Sequence, residues 1–286
     1  MPMNYAYHPG NVAHSSAQEV ADTVLPAVKT LGINLIPLDG ATSCGGGIIR
    51  QANRRLQLTL NARTFAMAEE LGLEIVTPCA TTAGILFEDL STLRSNPNLL
   101  REINNVLMET CGKSFSGETE VRHLLHVIVE EIGLEKLSES VKNPIGLSIA
   151  GYYGPNIQRE GACGKDDVFQ PNYLENVIEA LGANPVSLTY RTQSVGVPSL
   201  LSEESTALKQ TAAVLSEAKN EGANLVVSIC TLSHSVLDVY QVKAGKVSGE
   251  DTSIPVIHFT ELLAFSMGHF NTRLAQLKTR ISVIGN

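Results

Sequence analysis

Three of the five cysteines in this chain stand where thiol chemistry is possible. Cys44 is followed by three glycines, and Cys79 and Cys230 each end a predicted strand and begin a predicted helix. The N-terminus of a helix favours the thiolate form of cysteine, which is both a nucleophile and a ligand for soft metals. These three cysteines are the candidates for a reactive site, whereas Cys111 and Cys163 are predicted to lie in loops.

Two other interpretations of these residues stay open. A small buried cysteine at a strand end often does no more than pack in the core. A zinc site could combine the cysteines with His234 and His258, but no compact Cys-x-x-Cys pair is present and the ligands would have to converge from distant segments. The sequence therefore favours packing over zinc, and His123 and His126, at helical spacing, are expected to be surface residues.

The elements that must position these residues alternate along the chain. Short apolar runs rich in β-branched residues predict strands at Ile33–Leu38, Leu73–Val76, Gly146–Ala150, Pro185–Leu188, Leu225–Ile229 and Ile254–His258. Apolar residues at three- and four-residue spacing predict helices at Ala17–Leu31, Leu56–Leu71, Glu118–Ile132, Asn172–Leu181 and Glu203–Glu221. Strands that alternate with helices indicate an α/β fold with parallel sheets.

The chain also repeats itself. Residues of the same or similar type recur 151 positions apart, as in the pairs Ser43 and Ser194, Cys79 and Cys230, and Thr82 and Ser233. The sequence therefore predicts two pseudo-repeated, Rossmann-like parallel units. The predicted divisions are 1–93 for the first repeat, 94–143 for a mostly helical linker without a counterpart, and 144–286 for the second repeat.

The spacing of the motif positions resembles one known family. Thirty-four residues separate Cys44 from Cys79 in the first half, and 34 separate Val195 from Cys230 in the second. This pattern resembles the cysteine-rich CCG-domain proteins, among them heterodisulfide reductase B, the related component of type E succinate dehydrogenases, and thiol:fumarate reductase. Each half of those proteins carries a cysteine, then Cys-Cys-Gly, then Cys-x-x-Cys. The resemblance continues at Asn61-Ala62-Arg63 and over Ile254–Thr260, and runs nearly from end to end.

The resemblance implies non-cubane iron–sulfur clusters, but most of the ligand positions have changed. In the family, thiolates hold the clusters because soft sulfur ligands suit iron. Of ten such positions, this chain keeps Cys44, Cys79 and Cys230; the seven others are Asn11, Ser43, Thr82, Pro155, Ser194, Val195 and Ser233. An amide or hydroxyl binds iron weakly and proline offers no donor. The sequence therefore predicts no intact cluster in either half, and no other cofactor.

If the family fold holds, the motif loops face a shared cleft at the carboxyl ends of the strands, where open α/β sheets bind ligands. Cys44 and Cys79 could then meet as a redox pair. The residual cluster positions and the other candidates for the cleft are Cys44, Cys79, Cys230, Asn11, Ser43, Gly45, Thr82, Pro155, Ser194, Ser233 and His234. No catalytic residue is assigned, and the glycines after Cys44 are interpreted as a tight turn.

Charge and composition exclude several functions. Apolar residues make up 43% of the chain and charged residues 17%, as in an ordinary packed globule. The formal charge of −8 repels nucleic acid, and no apolar run approaches the roughly 18 to 20 residues of a membrane span. The start of the chain lacks the features of a signal peptide. We therefore expect a cytoplasmic protein without direct membrane insertion, which could associate with a membrane through partner subunits.

Two functional hypotheses follow from the resemblance. The first is a degenerate subunit of a redox complex, similar to heterodisulfide reductase B or the type E succinate dehydrogenase component and kept for electron transfer or complex assembly. Its expected partners are flavin or iron–sulfur subunits. The alternative is a non-catalytic binding or scaffold protein that uses the emptied cluster cleft. The two differ in whether the chain still serves oxidoreductase chemistry.

Overall fold

The structure is a computed structural model that describes residues 2–159 and 161–270. Within these residues, eight strands form two four-stranded sheets whose pairings are parallel, which confirms the predicted α/β fold. The strands are β1 (Met3–Tyr7), β2 (Ile33–Pro37), β3 (Ile75–Thr77), β4 (Val121–His123), β5 (Ser148–Tyr152), β6 (Asn184–Val186), β7 (Leu225–Ser228) and β8 (Val256–His258). The end of the predicted second repeat, 271–286, lies outside the described residues.

The helices flank these sheets. In the first half they are α1 (Gln18–Thr30), α2 (Ile48–Ala52), α3 (Arg54–Leu71), α4 (Ala80–Ser95), α5 (Pro97–Cys111), α6 (Leu124–Val127) and α7 (Leu134–Glu139). In the second half they are α8 (Tyr173–Ala180), α9 (Glu204–Asn220), α10 (Thr231–Val239), α11 (Gln241–Ser248) and α12 (Phe259–Ser266). Cys111 is therefore the last residue of a helix, not a loop residue, whereas Cys163 lies between β5 and α8 as predicted.

The two sheets have the same topology. The strand order is β2-β1-β3-β4 in the first sheet and β6-β5-β7-β8 in the second. In each sheet the chain reverses its direction of winding beside the first strand, and the loops after the first and third strands therefore open at a topological switch point. Ligands of such sheets bind at this point. The fold thus places Asn11, after β1, and Cys79, after β3, beside each other.

The segment 94–143 contributes a strand to the first sheet. Val121–His123 pairs with β3 in parallel register, with Val121 opposite Ile75, and a short helix and a π-helical turn (Ile128–Ile132) follow. The predicted helix over Glu118–Ile132 is therefore wrong at its start, because pairing with a distant strand overrides the local pattern. β4 is the counterpart of β8, so the prediction that this segment matches nothing in the second half is also wrong there. We propose that β4 belongs with the first repeat.

The two halves share one apolar core. Helix α1 of the first half packs against α12 of the second, and α8 of the second packs against α6 and α7. The buried cluster between them includes Val24 and Leu31 from the first half and Ile178 and Leu263 from the second. Burying these apolar side chains removes their surface from water, which stabilises the contact between the two halves.

One glycine allows the halves to approach closely. Gly84 lies in α4, and a Cβ atom at this position would stand 2.1 Å from the backbone oxygen of Asn156 in the second half. A side chain cannot occupy that space unless the two segments move apart. The absence of a side chain at residue 84 therefore sets the distance between α4 and the loop after β5.

We predict that Gly84→Ala destabilises the protein by about 1–3 kcal/mol, since overpacking outweighs the helix propensity that alanine adds. Chemical denaturation measures the change. Ser91→Ala is the control, because it places alanine at an exposed position of the same helix. Equal stability of the two variants would contradict the close approach of the halves.

Candidate functional site

Cys79 and Cys230 face each other between the two halves. Each follows the third strand of its sheet and is the N-cap of the next helix, α4 or α10, as predicted. Both side chains are buried, and their Sγ atoms lie 4.0 Å apart. The equivalent cysteines of the two repeats therefore form one pair.

A histidine of the first half supports the second-half cysteine. His123 is the last residue of β4, and its Nδ1 accepts a hydrogen bond from the backbone N–H of Leu125 at 3.1 Å. Its Nε2 therefore carries the proton and donates to the backbone oxygen of Ile229, 3.0 Å away. Ile229 immediately precedes Cys230 in the chain.

A histidine of the second half makes the reciprocal contact. His258 is the last residue of β8, and its Nδ1 accepts from the backbone N–H of Thr260 at 3.3 Å. Its Nε2 donates to the backbone oxygen of Pro78, 3.1 Å away, just before Cys79. Each half thus fixes the cysteine loop of the other. The expectation that His123 and His126 are surface residues is wrong, because both are buried.

The surroundings of the pair shift the pKa values of the two thiols in opposite directions. Burial raises the pKa of the Cys79 thiol, but hydrogen bonds, first from Cys230 and also from the backbone N–H of Thr82, outweigh burial and hold the pKa well below its ordinary value. The hydrogen bond to Cys79, together with burial, raises the pKa of Cys230 well above its ordinary value, although the Thr81 hydroxyl lies 3.1 Å from its sulfur. The pair is therefore suited to hold a thiolate at Cys79 beside a thiol at Cys230.

Cys44 lies in a separate polar network. The Asn11 amide donates to its Sγ at 3.3 Å, the Thr82 hydroxyl donates at 3.7 Å, and Ser43 donates to the Asn11 Oδ1 at 2.7 Å. Burial, aided by the nearby charge of Cys79, raises the pKa of Cys44 to about 11, so this residue stays a thiol near neutral pH. The hypothesis of a Cys44–Cys79 pair is not supported, since the sulfur in contact with Cys79 belongs to Cys230.

The loop of Cys44 is fixed by its backbone. The side-chain amides of Gln57 and Asn61 on α3 both donate to the Cys44 oxygen at 3.0 Å. The second half repeats this contact, because the Thr211 hydroxyl on α9 donates to the oxygen of Val195 at 2.9 Å. Gly45 has a φ of +66°, as expected for the predicted tight turn.

The motif positions of the second half differ in how exposed they are. Ser194 accepts a hydrogen bond from the N–H of Gly196 at 3.1 Å and borders a cavity of about 270 Å³. Ser233 is buried, whereas Pro155 is exposed at the surface. In the first half the structure therefore brings Asn11 and Thr82 into contact with Cys44, and in the second half the backbone N–H of Ser233 hydrogen-bonds Cys230.

His234 contacts Glu19, a residue that the sequence did not connect with it. Its Nε2 lies 2.6 Å from Oε1 of Glu19, and the donor atoms of His234, Glu19 and Glu261 lie within 4.8 Å of one another. The ring of His258 is held by Thr260 and Pro78. The hypothesis of zinc bound by cysteines with these histidines is thus not supported within the described residues. No motif in the sequence pointed to Glu19 or Glu261.

The first-half residues do not fit a non-cubane cluster. Iron–sulfur clusters are held by deprotonated cysteines. Around Cys44, the positions that would supply further thiolates carry an amide and two hydroxyls, and two of these side chains already donate hydrogen bonds to the Cys44 sulfur. In addition, the Sγ atom of Cys79 faces that of Cys230 across the interface, 4.0 Å away. Burial raises the pKa of Cys44 and keeps this residue a thiol near neutral pH, so it offers no thiolate ligand.

The fold and the site define an α/β protein of two repeated parallel units whose cysteines lie at the switch-point loops. The family described as "Cysteine-rich domain" (CCG) matches residues 5–84. The chain is 30% identical over 253 residues to the heterodisulfide reductase B-like protein of Archaeoglobus profundus, and the match covers 86% of this chain and 83% of that protein. The chain therefore belongs to the CCG family of heterodisulfide reductase B-like proteins.

Other relatives extend the likeness. The 8-methylmenaquinol:fumarate reductase membrane anchor subunit of Wolinella succinogenes is 29% identical over 270 residues, or 94% of this chain and 93% of that protein. The B component of the ferredoxin/F420H2-dependent CoB-CoM heterodisulfide reductase of Methanosarcina acetivorans is 28% identical over 249 residues, or 84% and 81%. Both names describe subunits of redox complexes.

A solved structure shares the fold. A hypothetical protein from Helicobacter pylori superimposes with a TM-score of 0.76 at 16% identity. The match covers 98% of this chain but only 52% of the other, so this chain spans about half the length of that protein. At this identity the match supports the fold alone.

Two of the buried histidines of the first half, His123 and His126, predict that acid destabilises the protein. Burial lowers the pKa of His123 and of His126 to about 3, whereas their ordinary value is 6.5. Between these values the unfolded chain binds more protons. Stability is therefore full above about pH 6.5 and falls toward pH 3 by roughly 1 kcal/mol per pH unit for each histidine. Urea unfolding across this range measures the slope.

The histidine variants separate this effect from general acid denaturation. His126→Gln should flatten the pH dependence, because one buried imidazole is removed. His14→Gln, at an exposed position, should leave the slope unchanged. A slope that is the same in all three proteins would contradict the role of the buried imidazoles.

Proposed function

We propose that the chain is a subunit of a redox complex that has lost the non-cubane clusters of its family and is retained to assemble the complex or to assist its electron transfer. The single observation that carries this proposal is the hydrogen-bonded network of Asn11, Ser43 and Thr82 around Cys44. It supports a site converted to a polar, hydrogen-bonded lining. The similarity over 94% of the chain to a subunit of a fumarate reductase supports the retained membership.

Flavin or iron–sulfur subunits are the proposed partners. A subunit without its own cluster persists when its surface is needed by the others. The negative formal charge of −8 disfavours nucleic acid as a partner. Among the described residues, no helix combines the length and the apolar character that crossing a bilayer requires. We propose a cytoplasmic location, with any membrane contact made through a partner, although the Wolinella relative is itself named a membrane anchor subunit.

The proposed membership predicts a defined complex. Affinity-tagged chain, expressed in its own organism and purified without oxygen, should co-elute at fixed stoichiometry with a subunit that carries a flavin or an iron–sulfur cluster. Mass spectrometry and cofactor analysis of the peak identify that subunit. Elution of the chain alone, at any salt concentration that keeps related complexes intact, would contradict membership.

The proposed loss of clusters predicts that thiols restore iron binding. Asn11→Cys combined with Ser43→Cys and Thr82→Cys returns five cysteines to the first motif, and anaerobic reconstitution with ferrous iron and sulfide should turn this variant brown. The matched control carries Asn11→Ser, Ser43→Ala and Thr82→Ser, which alters the same positions without adding thiols. Equal iron contents of variant and control would show that the missing thiols are not what excludes the cluster.

One observation favours the alternative of a binding protein. The cavity of about 270 Å³ beside Ser194 is lined by polar side chains that include Gln193, Lys209 and Gln210. A cavity of this kind at a changed motif position is suited to a small polar molecule. A colourless, partner-free protein that retains such a molecule through purification would favour this alternative over complex membership.

A further inference from the structure

The contact between Cys79 and Cys230 has the geometry of a reactive pair. The two Sγ atoms are 4.0 Å apart, and the backbone N–H of Ala80 donates to the oxygen of Ile229 at 3.0 Å, which joins the two cysteine loops. A disulfide needs about 2.05 Å between sulfurs, so each sulfur would have to move by only about 1 Å. Side-chain rotation can supply a shift of this size without separating the halves.

The surroundings prepare one of the two sulfurs for attack. Both cysteines are helix N-caps, and the positive ends of α4 and α10 therefore meet at the pair. The backbone N–H of Thr82 also donates a hydrogen bond to Cys79. A thiolate is the nucleophilic form of cysteine, and a neighbouring thiol can resolve the product of its oxidation.

Burial limits what can reach the pair. Cys79 and Cys230 are 0% and 1% exposed, and a Cβ on Gly10 would lie 2.5 Å from the Cys79 Cβ, so the loop after β1 covers the site closely. The Tyr7 hydroxyl is buried and has no hydrogen-bond partner among the described residues. It lies near enough that the Cys79 charge, in addition to burial, raises the pKa of its phenol. A neutral phenol can donate a hydrogen bond to a small oxygen-containing oxidant.

We infer that Cys79 and Cys230 form a two-electron dithiol–disulfide centre that a small hydroperoxide oxidises. Cys79 releases its proton to solvent and its sulfur attacks one peroxide oxygen, the S–O bond forms and the O–O bond breaks, and hydroxide leaves. The hydroxide takes up a proton from solvent, so the products are a sulfenic acid and one water. The Cys230 sulfur then attacks Cys79, the S–S bond forms, and the hydroxyl leaves as a second water with the thiol proton. Two thiols are oxidised, and one hydrogen peroxide is reduced to two waters.

The disulfide would join the third strands of the two sheets across the shared core. Residues 151 positions apart would be linked covalently, and a dithiol reductant would return both thiols. The centre needs neither a cluster nor a partner subunit. It therefore goes beyond the proposed function, and its test on the isolated chain is independent of the co-purification experiment.

The test maps disulfides in the full chain. Cys111→Ser serves as the background, because Cys111 is the exposed cysteine and would otherwise link two molecules. The protein is reduced, freed of reductant without oxygen, treated with stoichiometric hydrogen peroxide, and alkylated after denaturation. We expect two of its four thiols to escape alkylation, one linked peptide pair that contains Cys79 and Cys230, and full recovery of both thiols with dithiothreitol.

Two further variants sharpen the result. Adding Cys163→Ser should leave the link intact, because Cys163 lies in the loop between β5 and α8. Adding Cys230→Ala should abolish the link and leave a sulfenic acid at Cys79 that dimedone traps. Full alkylation of Cys79 and Cys230 after peroxide, or a link from Cys79 to Cys44, would overturn the inference. The mapping in the Cys111→Ser protein decides the question even if a further variant fails to fold.

Discussion

The crossed hydrogen bonds of His123 and His258 are the constraint on which the site depends. Each imidazole caps a helix of its own half through Nδ1 and donates through Nε2 to the carbonyl just before the cysteine of the other half. Both rings must therefore be neutral and in the same tautomer. Because these bonds lie in the buried interior, losing one would leave a polar group without a partner, which costs more than an exposed hydrogen bond.

This arrangement holds the two repeats against each other. Hydrogen bonds join the two cysteine loops to each other and to β4 and β8. Helices α1 and α12 bury apolar surface between the two halves. Gly84 lets α4 and the loop after β5 approach each other closely in this interface. The motif loops, to which the family resemblance assigns cluster binding, are part of a packed interface here. In this interface Cys79 and Cys230 share one environment, while Cys44 is surrounded by amide and hydroxyl groups.

The local parts of this structure could be predicted from the sequence. The strands that end near Cys79 and Cys230, and the helices that begin there, have clear apolar patterns. The family resemblance predicted that the motif loops, with Asn11, Cys44 and Thr82, would face a shared cleft. The non-local parts could not be predicted. β4 has only three residues and runs directly into a helix, so no alternation was long enough to reveal it. The contacts of His123 with Ile229 and of Cys79 with Cys230 join residues more than a hundred positions apart, and no local pattern encodes them.

The central claim is that the fold has outlived the cluster while keeping the cysteine loops in place. The most direct test is a visible absorption spectrum of the wild-type chain, purified without oxygen, with analysis of its iron and acid-labile sulfide. The account predicts a colourless protein with neither element in stoichiometric amount. A brown protein with iron and sulfide bound would contradict it, because a cluster would then be held by fewer cysteines than the family pattern contains.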